Sequence, residues 1–297
     1  MNLSPNLRGA ALMAGAMTGF AISDACMKGL SAHWPLFQSI FLRACATTLI
    51  LGVMAWRMGQ LRPVARRDGA LIGLRTTFEV AAGWCYLWAL TQMPLANVSA
   101  IQQAVPLAVT VGGMLVLGER AGRAQLALVV AGFGGVLLIL RPGTEGFTWA
   151  SLAMLGSVAA TSVRDLASRM LSPGVPAVLV AAAASGGMAL LGAGGAVATD
   201  WQPLSEPVAW MLGGSVVAVI LGYVGSVSAM RVGQIAALMP FRYTALLIAI
   251  VLGVVAFGTV PDTPTLLGAG VVVATGLVTI LRDRRRPRPE EEATPGA

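Results

Sequence analysis

Residues 24–35 read DACMKGLSAHWP, and 141 residues further on residues 165–176 read DLASRMLSPGVP. Asp24, Lys28, Leu30, Ser31 and Pro35 thus stand against Asp165, Arg169, Leu171, Ser172 and Pro176. The correspondence continues downstream at a shift of 140 residues, where Ala89 meets Ala229, Ala96 meets Ala236, Gly113 meets Gly253, Gly118 meets Gly258 and Leu126 meets Leu266. A chain that repeats itself in this way is built of two like units. What each unit contains follows from the apolar blocks around these stretches.

The blocks are 8–28, 35–57, 69–91, 95–117, 124–141, 149–169, 176–198, 207–230, 235–257 and 264–282. Turn chemistry separates them: Pro35, Pro63, Pro94, Gly118 with Gly122, Pro142-Gly143, Pro173-Gly174, Pro203, Gly233, and Pro261 with Pro264. Each block is close to the roughly 20 residues that cross about 30 Å of hydrocarbon as a helix. With 56% apolar and only 11% charged residues, against roughly 25% charged in soluble chains, lipid is the solvent this sequence expects. The fold class is an all-α integral membrane protein of ten transmembrane helices. Five helices fall in each unit, 1–144 and 145–286, and 287–297, rich in Pro and Glu, is expected to be a disordered tail. An odd number of crossings per unit turns the second copy upside down, the inverted-repeat plan of many secondary transporters.

The net charge of +7 raises the possibility of nucleic acid, but the placement of the charge argues against it. Loops alternate between two sides, and one side gathers Arg8, Arg57, Arg62, Arg66, Arg67, Arg120, Arg123, Arg169, Arg231, Arg282, Arg284, Arg285, Arg286 and Arg288; the other holds Lys28 and Arg141. By the positive-inside rule both termini are expected in the cytoplasm of a bacterial-type inner membrane. The first apolar block runs too far, without a small-residue cleavage site, to read as a signal peptide, so it is taken as the first span. Cys26, Cys45 and Cys85 lie inside apolar blocks with no C-x-x-C spacing, and the single histidine, His33, falls in a turn. Neither a metal nor a cofactor is expected. The sequence also lacks a nucleophile–base pair and a phosphate-binding glycine loop, which speaks against an enzyme.

In its motifs the chain resembles the drug/metabolite transporter superfamily, specifically ten-helix carriers of two EamA-type repeats. The resemblance rests on Ala89-Leu90-x-x-Met93-Pro94-Leu95-Ala96, Pro106-Leu107, Leu117-Gly118-Glu119-Arg120, Gly132 through Leu140-Arg141-Pro142-Gly143, Pro240-Phe241-x-Tyr243, Leu266-Leu267-Gly268-Ala269 and Gly276-Leu277. In appearance it is nearest to the YddG-type aromatic amino acid exporters. The resemblance implies a midplane cavity lined mainly by helices 3, 4, 8 and 9 with parts of 1 and 6, open to a small-molecule substrate. Thr259 stands where second repeats of this kind often carry an acid, which lowers the expectation of a role for Glu119.

Ionisable groups deep in a span are costly unless they are paired or face a cavity. Those here are Arg43, Arg75, Glu79, Arg164, Asp165 and Arg242, with Asp24 nearer a helix end. Arg75 and Glu79, four apart, share a helix face and are read either as a structural pair or as a grip on a zwitterion. Arg242, after the helix-bending Pro240, is read as an anchor for a carboxylate or phosphate, against snorkelling to the membrane surface. Trp84, Tyr86, Tyr223 and Tyr243 are candidate stacking residues, and Gln102 and Gln103 are amides needing a partner within the membrane. Asp24 with Lys28, and Asp165 with Arg169, are read first as helix-end pairs and second as two alternating gates. The substrate expectation is export of amino acids, aromatic ones included. Uptake of riboflavin or S-adenosylmethionine is the alternative, and a membrane-embedded enzyme or scaffold the rival class.

Overall fold

The computed structural model describes residues 5–116, 118, 122–143, 147–232 and 238–285. Within them the chain forms ten helical spans. They are α1 (Pro5–Leu30), α2 (Leu36–Arg57), α3 (Arg66–Gln92), α4 (Leu95–Val116), α5 (Arg123–Leu140), α6 (Trp149–Arg169), α7 (Ala177–Ala196), α8 (Glu206–Val232), α9 (Pro240–Phe257) and α10 (Thr263–Arg285). No strand occurs among the described residues. Seven of the spans satisfy length and hydropathy alone. Two of the three that do not are α3 and α6, whose polar groups build the site described below. Glu119, the boundary between the two units and the tail 287–297 lie outside the described residues.

Two spans are interrupted at prolines. Pro106 has no N–H to offer the Gln102 carbonyl, and α4 divides there into Leu95–Gln102 and Val105–Val116. Pro240 opens α9 as a 3-10 turn over Met239–Tyr243 before the α-helix resumes at Thr244. Gly258 ends α9 with a φ of 63°, the left-handed conformation glycine adopts without steric cost.

The helices pack as α1 on α8, α2 on α7, α3 on α6 and α5 on α10, with α1 also on α9 and α6 on α4. Adding five to each number exchanges these contacts among themselves. Small residues permit the close approaches, since lipid-embedded helices associate through packing and not through loss of water. A Cβ at Gly192 would lie 2.6 Å from the Phe41 backbone nitrogen, and one at Gly135 would lie 2.8 Å from the Gly268 carbonyl oxygen. Large apolar side chains such as Leu115, Leu190 and Val255 remain on the outer surface, where lipid replaces water.

Contacts between helix ends respect the alternation of sides. Asp68, buried at the start of α3, accepts from the backbone N–H and hydroxyl of Ser172 at 3.2 and 3.1 Å, on the arginine-rich side. On the opposite side Arg141 pairs with Asp262, and the Gln38 amide exchanges hydrogen bonds with the Gln202 backbone at 2.9 and 3.0 Å. None of these contacts crosses from one side to the other, as ten full crossings require.

Candidate functional site

Arg75, Glu79 and Tyr86 fall on one face of α3, because offsets of four and eleven residues return to nearly the same angle on a helix. This stripe runs roughly 16 Å along the span and meets a different set of partners at each end. Arg75 to Glu79 marks the end toward the arginine-rich side, and Tyr86 the end toward the opposite side.

At the first end Glu79 lies across two guanidiniums, 3.3 Å from Arg75 and 3.1 Å from Arg164 of α6. Arg164 also reaches Asp165 at 2.8 Å, and Arg75 donates through Nε to Ser168 at 3.0 Å. Two cations and two anions cancel, so the cluster is self-neutralised. Its side chains nevertheless keep from 15% of their surface accessible at Arg75 to 28% at Asp165. They are partly accessible within the spans, where ionisable groups are costly unless paired.

At the second end the Tyr86 hydroxyl donates to Asp24 at 2.8 Å. Beside them Ser23 of α1 and Ser215 of α8 share a buried hydrogen bond at 3.0 Å, and Arg43 of α2 donates to the Ser23 hydroxyl at 3.4 Å. Arg43 and Asp24 act on each other electrostatically, yet no nitrogen–oxygen pair at 4.0 Å or less joins them. Tyr223 of α8 lies eight residues, about two helical turns, beyond Ser215. Its ring meets Phe20 edge-on at 5.4 Å.

The structure therefore brings Arg75, Glu79 and Asp165 together at one end of the stripe and Asp24 with Tyr86 at the other. It also corrects the local pairing of Asp24 with Lys28. Lys28 instead caps α3, donating to the carbonyls of Leu90 and Met93 at 2.8 and 2.7 Å, groups that a helix end leaves without partners. Asp165 is held by its neighbour Arg164. Trp84 is committed to packing, stacked on Phe37 at 4.7 Å with 12° between the planes. Gln102 donates to Thr161 at 3.4 Å while its carbonyl oxygen is buried without a partner; Gln103, half buried, closes the first piece of α4. Tyr243 is buried against Gly276, its hydroxyl unpartnered. Arg242 is exposed and has no ion pair among the described residues, which fits the interfacial alternative better than a central anchor.

Sequence reasoning singled out Arg43 and Arg164 as intramembrane charges without giving them a role, and it passed over Ser23 and Ser215. The internal repeat carries the signal for three of them: the shift of 141 sets Ser23-Asp24 against Arg164-Asp165, and the shift of 140 sets Arg75 against Ser215. Among the described residues no three His, Cys, Asp or Glu side chains converge as metal ligands would.

Comparison with known proteins supports the same architecture. The chain is 26% identical over 156 residues to the pseudopaline exporter of Pseudomonas aeruginosa, covering 50% of this chain and 54% of that protein. It therefore spans about half the length of that relative. It is 28% identical over 206 residues to a riboflavin transporter of Vibrio cholerae, 67% of each chain. To an S-adenosylmethionine uptake transporter of Rickettsia prowazekii it is 22% identical over 289 residues, 92% of each. A solved crystal structure superposes with a TM-score of 0.60 at 18% identity, covering 93% of this chain and 98% of that one, which establishes the shared fold. The match to a family profile falls on α1 to α5, the helices that contribute Asp24, Arg43, Arg75, Glu79 and Tyr86: residues 7–141 match the EamA-like transporter family.

Proposed function

We propose that the chain is a secondary transporter or facilitator that carries small dipolar metabolites, amino acids with aromatic ones among them, outward across a bacterial-type inner membrane. Its two five-helix units, 1–144 and 145–286, rock against one another to open first one face and then the other. Both termini lie in the cytoplasm, by the arginine distribution.

The observation that carries this reading is the stripe on α3. Charges of both signs lie within the spans and keep part of their surface accessible, and they are contributed by α1, α2, α3 and α6. A scaffold gains nothing from such groups, which are costly in lipid. A carrier of dipolar solutes needs them, because they replace the water that an ammonium or carboxylate sheds on entering the membrane. Tyr86 and Tyr223 beside the charges supply faces for an aromatic side chain. The exchange of helix contacts on adding five supports an internal two-fold, and the sequence repeat supports it independently.

A second reading, uptake of riboflavin or S-adenosylmethionine, is favoured by the names of two relatives. Flux of labelled amino acids, riboflavin and S-adenosylmethionine into proteoliposomes separates the two. Saturable flux of amino acids, competed by unlabelled amino acids and not by riboflavin, is the expected result. Flux of riboflavin alone overturns the substrate assignment.

A further inference from the structure

We infer that Asp24 and Arg43 form the head-group site for an α-amino carboxylate, the ammonium resting on Asp24 and the carboxylate on Arg43. The inference rests on the transport reading above and goes beyond it by fixing where the substrate is held.

Two opposite charges in a medium of low dielectric attract strongly and ordinarily close into an ion pair. Asp24 and Arg43 feel one another, yet each is tethered elsewhere: Asp24 by the Tyr86 hydroxyl at 2.8 Å, Arg43 by the Ser23 hydroxyl at 3.4 Å. The Ser23–Ser215 bond at 3.0 Å fixes that second tether against α8. A guanidinium has five N–H donors, and one of Arg43's is engaged among the described residues. Neither its remaining nitrogens nor the second oxygen of Asp24 is among the sealed, unpartnered atoms of the molecule. Both groups therefore turn unused hydrogen-bonding capacity toward accessible space.

The α3–α6 cluster is the internal control. There Glu79 uses both oxygens on arginines, Arg164 takes Asp165 as well, and the ion pairs close at 2.8 to 3.3 Å. Such a network satisfies itself and leaves little for a ligand. A ligand carrying one charge would complete only half of the Asp24–Arg43 site and leave the other charge unmatched. An α-amino carboxylate completes both, because its ammonium and carboxylate are adjacent and a carboxylate matches the guanidinium fork bidentately. Tyr86, bonded to Asp24, then offers a ring face beside the head group, which favours aromatic amino acids.

The test uses counterflow of labelled L-phenylalanine in proteoliposomes of the full chain, with three unlabelled competitors. Phenylalanine carries both charges, phenylethylamine lacks the carboxylate and phenylpropionate lacks the ammonium. Wild type is expected to prefer phenylalanine over either analogue by about tenfold or more, since a site built for a polar group rejects the analogue lacking it. Arg43→Gln is expected to lose the preference over phenylethylamine but keep that over phenylpropionate, and Asp24→Asn the reverse. A merely structural role weakens all three competitors alike and overturns the proposal. Should Arg43→Gln fail to fold, Arg43→Lys keeps the charge without the fork. It is expected to weaken phenylalanine and spare phenylethylamine, and equal loss of both again overturns the site. If phenylalanine flux persists with both preferences intact in both variants, the head group binds elsewhere and the transport reading stands. If wild type moves riboflavin and no amino carboxylate, the transport assignment itself falls, and the site with it.

Discussion

Between α3 and α6, Glu79 sits across two guanidiniums, 3.1 Å from Arg164 and 3.3 Å from Arg75; between α1 and α8, two serine hydroxyls face one another at 3.0 Å. The internal repeat equates these positions, Ser23 with Arg164 and Ser215 with Arg75, and the acid that follows, Asp24 or Asp165, is the same in both. Equivalent helix pairs thus carry different chemistry at one contact. Where arginines stand, the charges close on each other; where serines stand, the acid is left to Tyr86 and the nearest guanidinium comes from another helix, α2. Both contacts join the first unit to the second, and they differ in kind: α3 and α6 meet through a closed network of charges, α1 and α8 through a serine pair beside Asp24.

The largest effect expected from this difference is at Glu79. Glu79→Gln leaves Arg75 and Arg164 facing each other without the carboxylate they share, and breaking this partly buried network is expected to cost about 2–3 kcal/mol. Thermal unfolding in detergent measures it. Asp24→Asn removes a carboxylate that has no ion-pair partner among the described residues, so its stability is expected to stay within about 1 kcal/mol of wild type while phenylalanine flux falls by about tenfold. If the two variants melt alike, the contrast between a closed and an open cluster is broken.

A smaller effect sharpens the comparison at the level of the backbone. On α1, a Cβ at Gly19 would lie 2.7 Å from the Ala218 carbonyl oxygen of α8, whereas on α6 a Cβ at Gly156 would meet only the Cys85 sulfur, at 3.8 Å. Gly19→Ala is expected to cost about 1–3 kcal/mol by overpacking, and Gly156→Ala less than about 0.5 kcal/mol. Equal losses would mean that the α1–α8 contact is no tighter than its counterpart.

The smallest effect lies outside both clusters, at the exposed pair of Asp262 and Arg141. Hydrogen bonding from Thr265, and then Arg141, holds the Asp262 carboxyl below its ordinary value. A depressed carboxylate contributes stability above its unfolded value, about 4, and loses it as pH falls through the folded value. Asp262→Asn is therefore expected to cost under about 1 kcal/mol at neutral pH, with the difference from wild type vanishing in acid. Unfolding measured at pH 7 and in stronger acid checks the sign.

The ten spans were legible in the sequence because lipid demands long apolar blocks and the turns between them are marked by Pro and Gly. The block 149–169 coincides with α6, and the others agree to within a few residues apart from the two proline interruptions. The division of α4 was not anticipated, although Pro106 is its physical cause. Within the site, the pairing of Arg75 with Glu79 was legible because it is local to one helix. The partners of Asp24, Lys28 and Arg164 were not, because they lie on other helices and the spacing rule sees one helix at a time. Comparing the two repeats position by position, Ser23 against Arg164 and Ser215 against Arg75, reaches across that gap.

The most direct test of the account is flux of labelled L-phenylalanine through purified protein in proteoliposomes, wild type beside Asp24→Asn, with both shown to melt at similar temperatures. The account predicts saturable flux in the wild type and at least about a tenfold loss in the variant. Phenylalanine flux no greater than in empty liposomes, or flux that is indifferent to Asp24, would contradict it.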